Sequence, residues 1–111
     1  MAGLIRLTPD VDWTASGGLF EFTLEYLADH IDDNQAAAWL REVVDNNLGS
    51  VWITEFPGRT QREIIDALRS GLVNTAERDL PETDRKAAAL DELRRLVDLT
   101  YRVPGEGGPP D

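Results

Sequence analysis

Four stretches of this 111-residue sequence carry apolar side chains at intervals of three and four residues, and Gly, Pro or Asn residues separate them. That spacing places the apolar side chains on one face of an α-helix, which has to be buried. The predicted helices cover residues 19–31, 34–46, 60–78 and 81–101. The sequence therefore predicts a mainly α domain built from four helices.

Two shorter apolar segments favour β-strands. Residues 4–7 form an apolar run that a proline ends, and residues 51–56 are β-branched and aromatic. We predict that they pair as a small two-stranded sheet packed on the helices, since two strands alone are marginally stable. The fold class is then α+β; a helix at residues 50–56 is the alternative. Residues 10–18 are expected to form a loop closed by two glycines.

Local signals mark the helix ends. Asp32 or Asp33 is placed to cap the second helix, and Gly49 follows that helix where a left-handed residue is usual. Thr60 and Glu63 have the spacing of a capping box at the start of the third helix.

Composition limits the class of protein. A hydrophobic content of 41% supports one globular domain, residues 1–103, and the Gly- and Pro-rich residues 104–111 are expected to be a disordered tail. The chain has no cysteine, which excludes disulfides, thiolate metal sites and thiol catalysis. No apolar run is long enough to span a bilayer or to act as a signal peptide. We therefore expect a cytoplasmic protein.

The formal charge of −10 is distributed unevenly. Residues 1–58 hold ten acidic and two basic side chains, and residues 10–33 hold seven acidic side chains and no Lys or Arg. Such a charge repels phosphate groups, so we expect neither nucleic acid nor an anionic membrane as a partner. It favours a basic partner.

The predicted first helix concentrates this charge. Glu21, Glu25 and Asp29 are four residues apart and form one stripe, although like charges at that spacing cost roughly 0.2–0.5 kcal/mol per pair. Three explanations are open: a solvated face, pairing with arginines of the third helix, or recognition of a basic partner. The arginines in question are Arg59, Arg62 and Arg69.

Patterns for catalysis or metal binding are weak. Six residues fit the ligand positions of a calcium-binding loop: Asp10, Asp12, Thr14, Ser16, Gly18 and Glu21. Ala15 stands where that loop needs glycine, and no helix is predicted before it. His30 is the single histidine, which excludes a multi-histidine metal site. We predict no catalytic residue, metal or cofactor; the alternative is a small carboxylate-based or metal-dependent hydrolase.

The sequence thus predicts a small acidic protein-binding module that sequesters or regulates a basic protein. One version is an immunity protein or antitoxin that covers a toxin or another enzyme; the other is an adaptor whose apolar helix face completes a homodimer or heteromer. If Trp13 or Trp39 is exposed beside these carboxylates, it is an aromatic anchor ringed by charge, and Trp13 is included on that ground; the alternative is that all three tryptophans lie in the core. The predicted partner-binding residues are Asp10, Asp12, Trp13, Glu21, Glu25, Asp29, Asp32 and Asp33.

Overall fold

The computed structural model describes residues 2–102, in which three strands and four helices follow one another in the order β-β-α-α-β-α-α. The strands are β1 (Ala2–Thr8), β2 (Val11–Ser16) and β3 (Ser50–Trp52). The helices are α1 (Gly17–His30), α2 (Asn34–Asp45), α3 (Gly58–Asp79) and α4 (Lys86–Thr100). None of these helices combines the length and the apolarity needed to cross a bilayer. The predicted tail, residues 104–111, lies outside the described residues.

The sheet has the order β2-β1-β3, with β1 antiparallel to β2 and parallel to β3. The structure therefore combines four helices with a small mixed sheet, as expected for an α+β domain, but the sheet has three strands and not the predicted two. The predicted loop at residues 10–18 is wrong, because Val11, Trp13 and Ala15 alternate with polar residues as in a strand with one buried face. The chain turns tightly into β2 at Pro9 and Asp10, where the Asp10 N–H donates to the Thr8 hydroxyl.

The third strand is shorter than predicted. β3 ends at Trp52, and Ile53–Glu55 forms one turn of 3-10 helix in which the Phe56 N–H donates to the Ile53 carbonyl at 3.1 Å. Val51 and Ile53 are both buried and join the core. The fourth helix also begins later than predicted, at Lys86 and not near Pro81.

One apolar cluster joins the inner face of the sheet to all four helices. Trp13 has no exposed surface, and its indole Nε1 donates to the Glu92 carbonyl oxygen at 2.9 Å. This contact fixes β2 to α4. The β2 strand then runs directly into α1, where Ser16 caps the helix by accepting a hydrogen bond from the Leu19 N–H. The orientation of α1 therefore follows from the sheet.

The connection from α2 to β3 matches the predicted turn. Gly49 has φ +82°, the left-handed region that glycine adopts without strain, and Asn47 has φ +52°. The Leu48 N–H donates to the Val43 carbonyl at 3.0 Å, and the Leu4 N–H donates to the Gly49 carbonyl at 2.9 Å. The end of α2 is thereby tied to the centre of the sheet.

A glycine in β1 allows the sheet to approach α1. A Cβ atom at Gly3 would lie 2.1 Å from Cγ of Phe20, whose ring is buried in the core. We expect Gly3→Ala to lower the free energy of unfolding by about 1–3 kcal/mol through overpacking. Urea unfolding followed by circular dichroism measures this change. Gly18→Ala is the control, since a Cβ there meets nothing within 4 Å; equal stabilities of the two variants would contradict the close contact.

Candidate functional site

Helix α1 buries most of its circumference, with seven of its fourteen residues in the core. Its outward side is a narrow strip that contains Glu21, Glu25 and Asp29. Glu25 and Asp29 are exposed and Glu21 is half-buried. The structure therefore places these three carboxylates along one face, at the spacing of successive helical turns.

Helix α2 lies beside α1 and completes a groove with that strip. Two adjoining depressions share Val44, one of about 350 Å³ near the start of α1 and one of about 260 Å³ near its end. The first is lined by Ser16, Gly17, Gly18, Phe20, Glu21, Val43, Val44, Asn47 and Gly49. The second is lined by Glu25, Asp29, Arg41, Val44 and Asp45. We call the two together the acidic groove.

The acidic groove carries four carboxylates and one cation. Nη2 of Arg41 lies 2.8 Å from Oδ1 of Asp29, and both side chains are more than half exposed, so this pair contributes little stability. Within residues 2–102, no ion pair reaches Glu21, Glu25 or Asp45. The groove therefore keeps a surplus of negative charge.

The arginines of α3 do not neutralise this stripe. Arg69 donates instead to the hydroxyl and the carbonyl oxygen of Thr100 at the end of α4. No ion pair within the described part of the chain joins α3 to Glu21, Glu25 or Asp29. Within residues 2–102, pairing of the stripe comes from α2 and reaches Asp29 alone.

Asp10 and Asp12 lie away from the acidic groove, on the turn and strand at the sheet edge. Nε of Arg6 lies 2.8 Å from Oδ1 of Asp12, and the Arg6 guanidinium also stands 4.8 Å from the centroid of the Trp52 ring. This ion pair raises the pKa of Arg6. The six residues with calcium-loop spacing are divided between a turn, a strand and a helix, so they do not form a loop around one point.

The prediction that Trp13 binds a partner is wrong. Its side chain faces the core and has no exposed surface, because β2 turns its odd-numbered residues inward. The exposed tryptophans are Trp39, at 42%, and Trp52, at 44%. Neither lines the acidic groove.

Asp33 has a structural role, and its assignment as a partner contact stays a prediction. Its Oδ1 accepts from the Gln35 and Ala36 N–H groups at the start of α2, and its Oδ2 accepts from the Thr60 hydroxyl at 2.6 Å. The Thr60 hydrogen bond, followed by that of Ala36, holds the pKa of Asp33 below its ordinary value of 3.8. The predicted cap of α2 is therefore present and is tied to α3.

The predicted capping box of α3 is wrong. The helix begins at Gly58 after Pro57 and has no side-chain cap. Thr60 donates to Asp33, while Glu63 accepts from the Asp32 N–H at 3.2 Å. Both side chains thus hold the turn between α1 and α2, and this tertiary contact helps to set how the two walls of the acidic groove meet.

Asp32 lines a separate depression of about 260 Å³ between α1 and α3, together with Glu63 and Asp66. His30 lies beside it, stacked on Tyr26 at 4.2 Å between ring centroids, with Nδ1 donating to the Tyr26 carbonyl oxygen. Within residues 2–102, no three His, Asp or Glu side chains are placed to hold a metal ion.

Sequence reasoning missed the α2 wall of the groove. Arg41 and Asp45 are four residues apart on α2 and both are exposed, so they share one face. That spacing is visible in the sequence, but which helix this face adjoins depends on tertiary packing. Val44, between them, supplies the apolar floor common to both depressions.

Comparison with known proteins gives no match: no family model fits the chain, and no curated sequence or solved structure is significantly similar to it. Function is therefore inferred from the chemistry of the site.

The bond between Thr60 and Asp33 predicts a pH-dependent stability. Because the folded-state pKa of Asp33 is lowered, its stabilising effect is present above pH 3.8 and is lost as pH falls through the folded-state value. Thr60→Val removes the largest cause of the shift, whereas Thr60→Ser keeps the hydroxyl. Urea unfolding should show Thr60→Val less stable than Thr60→Ser at neutral pH, with the difference shrinking below pH 3.8. A difference that does not change with pH would contradict this account.

Proposed function

We propose that this chain is a small acidic module that binds a basic protein and thereby sequesters or regulates it, with the acidic groove as the binding surface. The observation that supports this function is the combination of unneutralised carboxylates with an apolar floor. Glu21, Glu25 and Asp45 have no ion pair within residues 2–102, and Val43 and Val44 lie beneath them.

The groove suits arginine and lysine side chains in particular. Their aliphatic stems can cover an apolar floor while the charged head reaches a carboxylate. An arginine can also bind a carboxylate through two parallel hydrogen bonds, which adds direction to the attraction. From Glu21 to Asp29 the rise along α1 is about 12 Å, so two or three basic side chains of a partner could bind in a row.

The charge of the whole chain supports fast association with such a partner. Ten of the acidic and only two of the basic residues fall in residues 1–58, the part that contains both walls of the groove. A field of one sign raises the association rate and makes it dependent on ionic strength. The same negative field repels nucleic acids. To a cationic protein site, the row of carboxylates would present a row of negative charges, as a phosphate backbone does.

The proposal includes two modes of action. An immunity protein or antitoxin would cover the cationic active site of a toxin, and an adaptor would recruit a basic protein to another component. A cytoplasmic location is part of this proposal, and the absence of cysteine agrees with it.

A carboxylate-based hydrolase is the alternative and has less support. A general acid needs a carboxyl group whose pKa is raised. Hydrogen bonds from Thr60 and Arg78 instead lower the pKa of Asp33 and Asp79, respectively. Both carboxyl groups are thus shifted in the direction that favours the charged form.

A triple substitution tests the groove against the general charge of the protein. The probe is a synthetic arginine-rich peptide, and its affinity is measured at low and at moderate salt. The groove variant carries Glu21→Gln, Glu25→Gln and Asp45→Asn. The control carries Glu55→Gln, Asp84→Asn and Asp98→Asn, which are exposed acids that line neither depression.

We expect the groove variant to bind the probe about tenfold more weakly than wild type, since three partly exposed charge contacts are lost. The control, which has the same net charge, should lose much less. Stability should stay unchanged or rise by a few tenths of a kcal/mol, because like charges on α1 are removed. Equal weakening of both variants would show a diffuse charge effect, and unfolding of the groove variant would show a structural role for these carboxylates.

A further inference from the structure

Strands β2 and β3 form the two edges of the sheet, and β2 pairs with β1 on one side only. The Leu4 N–H donates to the Gly49 carbonyl, so the backbone groups of Leu4 point toward β3. Thr14 stands opposite Leu4 in the antiparallel ladder. In an antiparallel ladder, the N–H and C=O groups of two directly opposite residues point either toward each other or away from each other. Those of Leu4 point away from β2, so those of Thr14 point away from β1. The N–H and C=O of Thr14 therefore face the open edge.

Within the described part of the chain, these edge groups lack a hydrogen-bond partner. No turn, loop or side-chain hydrogen bond within residues 2–102 reaches the N–H or C=O of Thr14. Unpaired backbone groups on a sheet edge are a template for another strand. Helix α4 runs beside this edge, so the edge faces protein as well as solvent.

A cleft of about 610 Å³ separates β2 from the first half of α4, and we call it the edge groove. Its lining from the sheet side is Thr14, Ala15, Ser16 and Leu19, and from the helix side Arg85, Ala88, Ala89, Glu92 and Arg95. A cleft between an edge strand and a helix is the arrangement in which some domains add an extended peptide to their sheet. The small side chains of Ala88 and Ala89 leave room for such a peptide.

The charges of the edge groove are opposite in sign to those of the acidic groove. Arg85 and Arg95 stand at its two ends, with Glu92 between them and 3.9 Å from Arg95. Within the described residues, no ion pair reaches Arg85. The groove thus has one surplus positive charge in a protein whose net charge is −10.

We propose that an extended segment of a partner protein binds in the edge groove as a fourth strand beside β2, with two carboxylate side chains that meet Arg85 and Arg95. Arg85 immediately precedes α4 and Arg95 lies on it ten residues later, which corresponds to a helical rise of about 15 Å. Two side chains on one face of a strand and four residues apart are about 13 Å apart. The segment therefore has the pattern of an acid, three residues and an acid, with main-chain bonds to Thr14.

A second copy of this chain fits the groove less well. Two molecules of charge −10 repel each other. The β2 strand of a second copy would bring one carboxylate, Asp12, and not two at the required spacing. The proposed site shares Ser16 with the acidic groove but none of its charged residues, so either one can be correct without the other.

A peptide probe tests the spacing directly. The probe is acetyl-Thr-Glu-Val-Ala-Val-Glu-Thr-amide with a fluorescent label, in which the two glutamates share one strand face. The control, acetyl-Thr-Glu-Val-Ala-Glu-Val-Thr-amide, has the same composition but places the glutamates on opposite faces. Fluorescence anisotropy with the full chain should show binding of the probe, and about tenfold weaker binding of the control, as expected for one lost charge contact.

Two variants of the protein test the two kinds of contact. Thr14→Pro removes the edge N–H, and proline is tolerated on an edge strand where that group faces outward. Arg85→Gln with Arg95→Gln removes the cations. Thr14→Pro should weaken probe binding about tenfold, and the double arginine change, which removes two charge contacts, should weaken it more. Arg94→Gln should have no effect, because Arg94 faces Glu77 and Asp91 outside the groove.

Circular dichroism checks that each variant folds, and the arginine variant keeps the test valid if the proline variant does not. Binding that is unaffected by the arginine changes, or equal for the two peptides, would overturn the proposal. So would an absence of binding at millimolar peptide. A dimer in light scattering that Thr14→Pro dissociates would also overturn it, since a second copy would then occupy the edge.

Discussion

The burial of Trp13 is the contact on which both candidate surfaces depend. Its indole lies in the core and its Nε1 donates to the carbonyl oxygen of Glu92, 79 positions later in the chain. This bond places α4 beside the edge of the sheet, which creates the edge groove. Because β2 continues into α1 through the Ser16 cap, the same contact also helps to set which side of α1 faces outward. A buried polar group with one available partner gives a specific arrangement as well as stability.

The turn between α1 and α2 is the second constraint. The Asp33 carboxylate accepts hydrogen bonds both from the first N–H groups of α2 and from the Thr60 hydroxyl. The Glu63 carboxylate accepts from the backbone N–H of Asp32. Two polar side chains of α3 thus fix the point where both walls of the acidic groove meet. Within residues 2–102, Glu21, Glu25 and Asp45 of the groove are left without such contacts, and Asp29 is bound by Arg41. The molecule satisfies its structural acids internally and leaves another set unneutralised.

Much of the helical pattern could be predicted from the sequence because it depends on local spacing. Phe20, Leu24 and Leu27 are buried as their periodicity indicates, and Glu21 and Glu25 share the opposite face. These features follow from the geometry of one helix.

Features that depend on distant partners could not be predicted in the same way. The alternation in β2 is short and interrupted by charge, so proline and glycine at its ends favoured a loop. Thr60 and Glu63 fit a local capping box as well as they fit the distant turn that they bind. The place of Asp45 in the acidic groove could not be predicted either, because it depends on the packing of α2 on α1.

The central claim is that the carboxylates of the acidic groove form a specific surface for basic side chains. A titration of the ¹⁵N-labelled protein with an arginine-rich peptide, followed by amide chemical shifts, locates the contact residue by residue. The account predicts the largest shifts at residues 21–29 and 41–45. Shifts concentrated at Asp10 and Asp12, or spread evenly over all exposed acids, would contradict it.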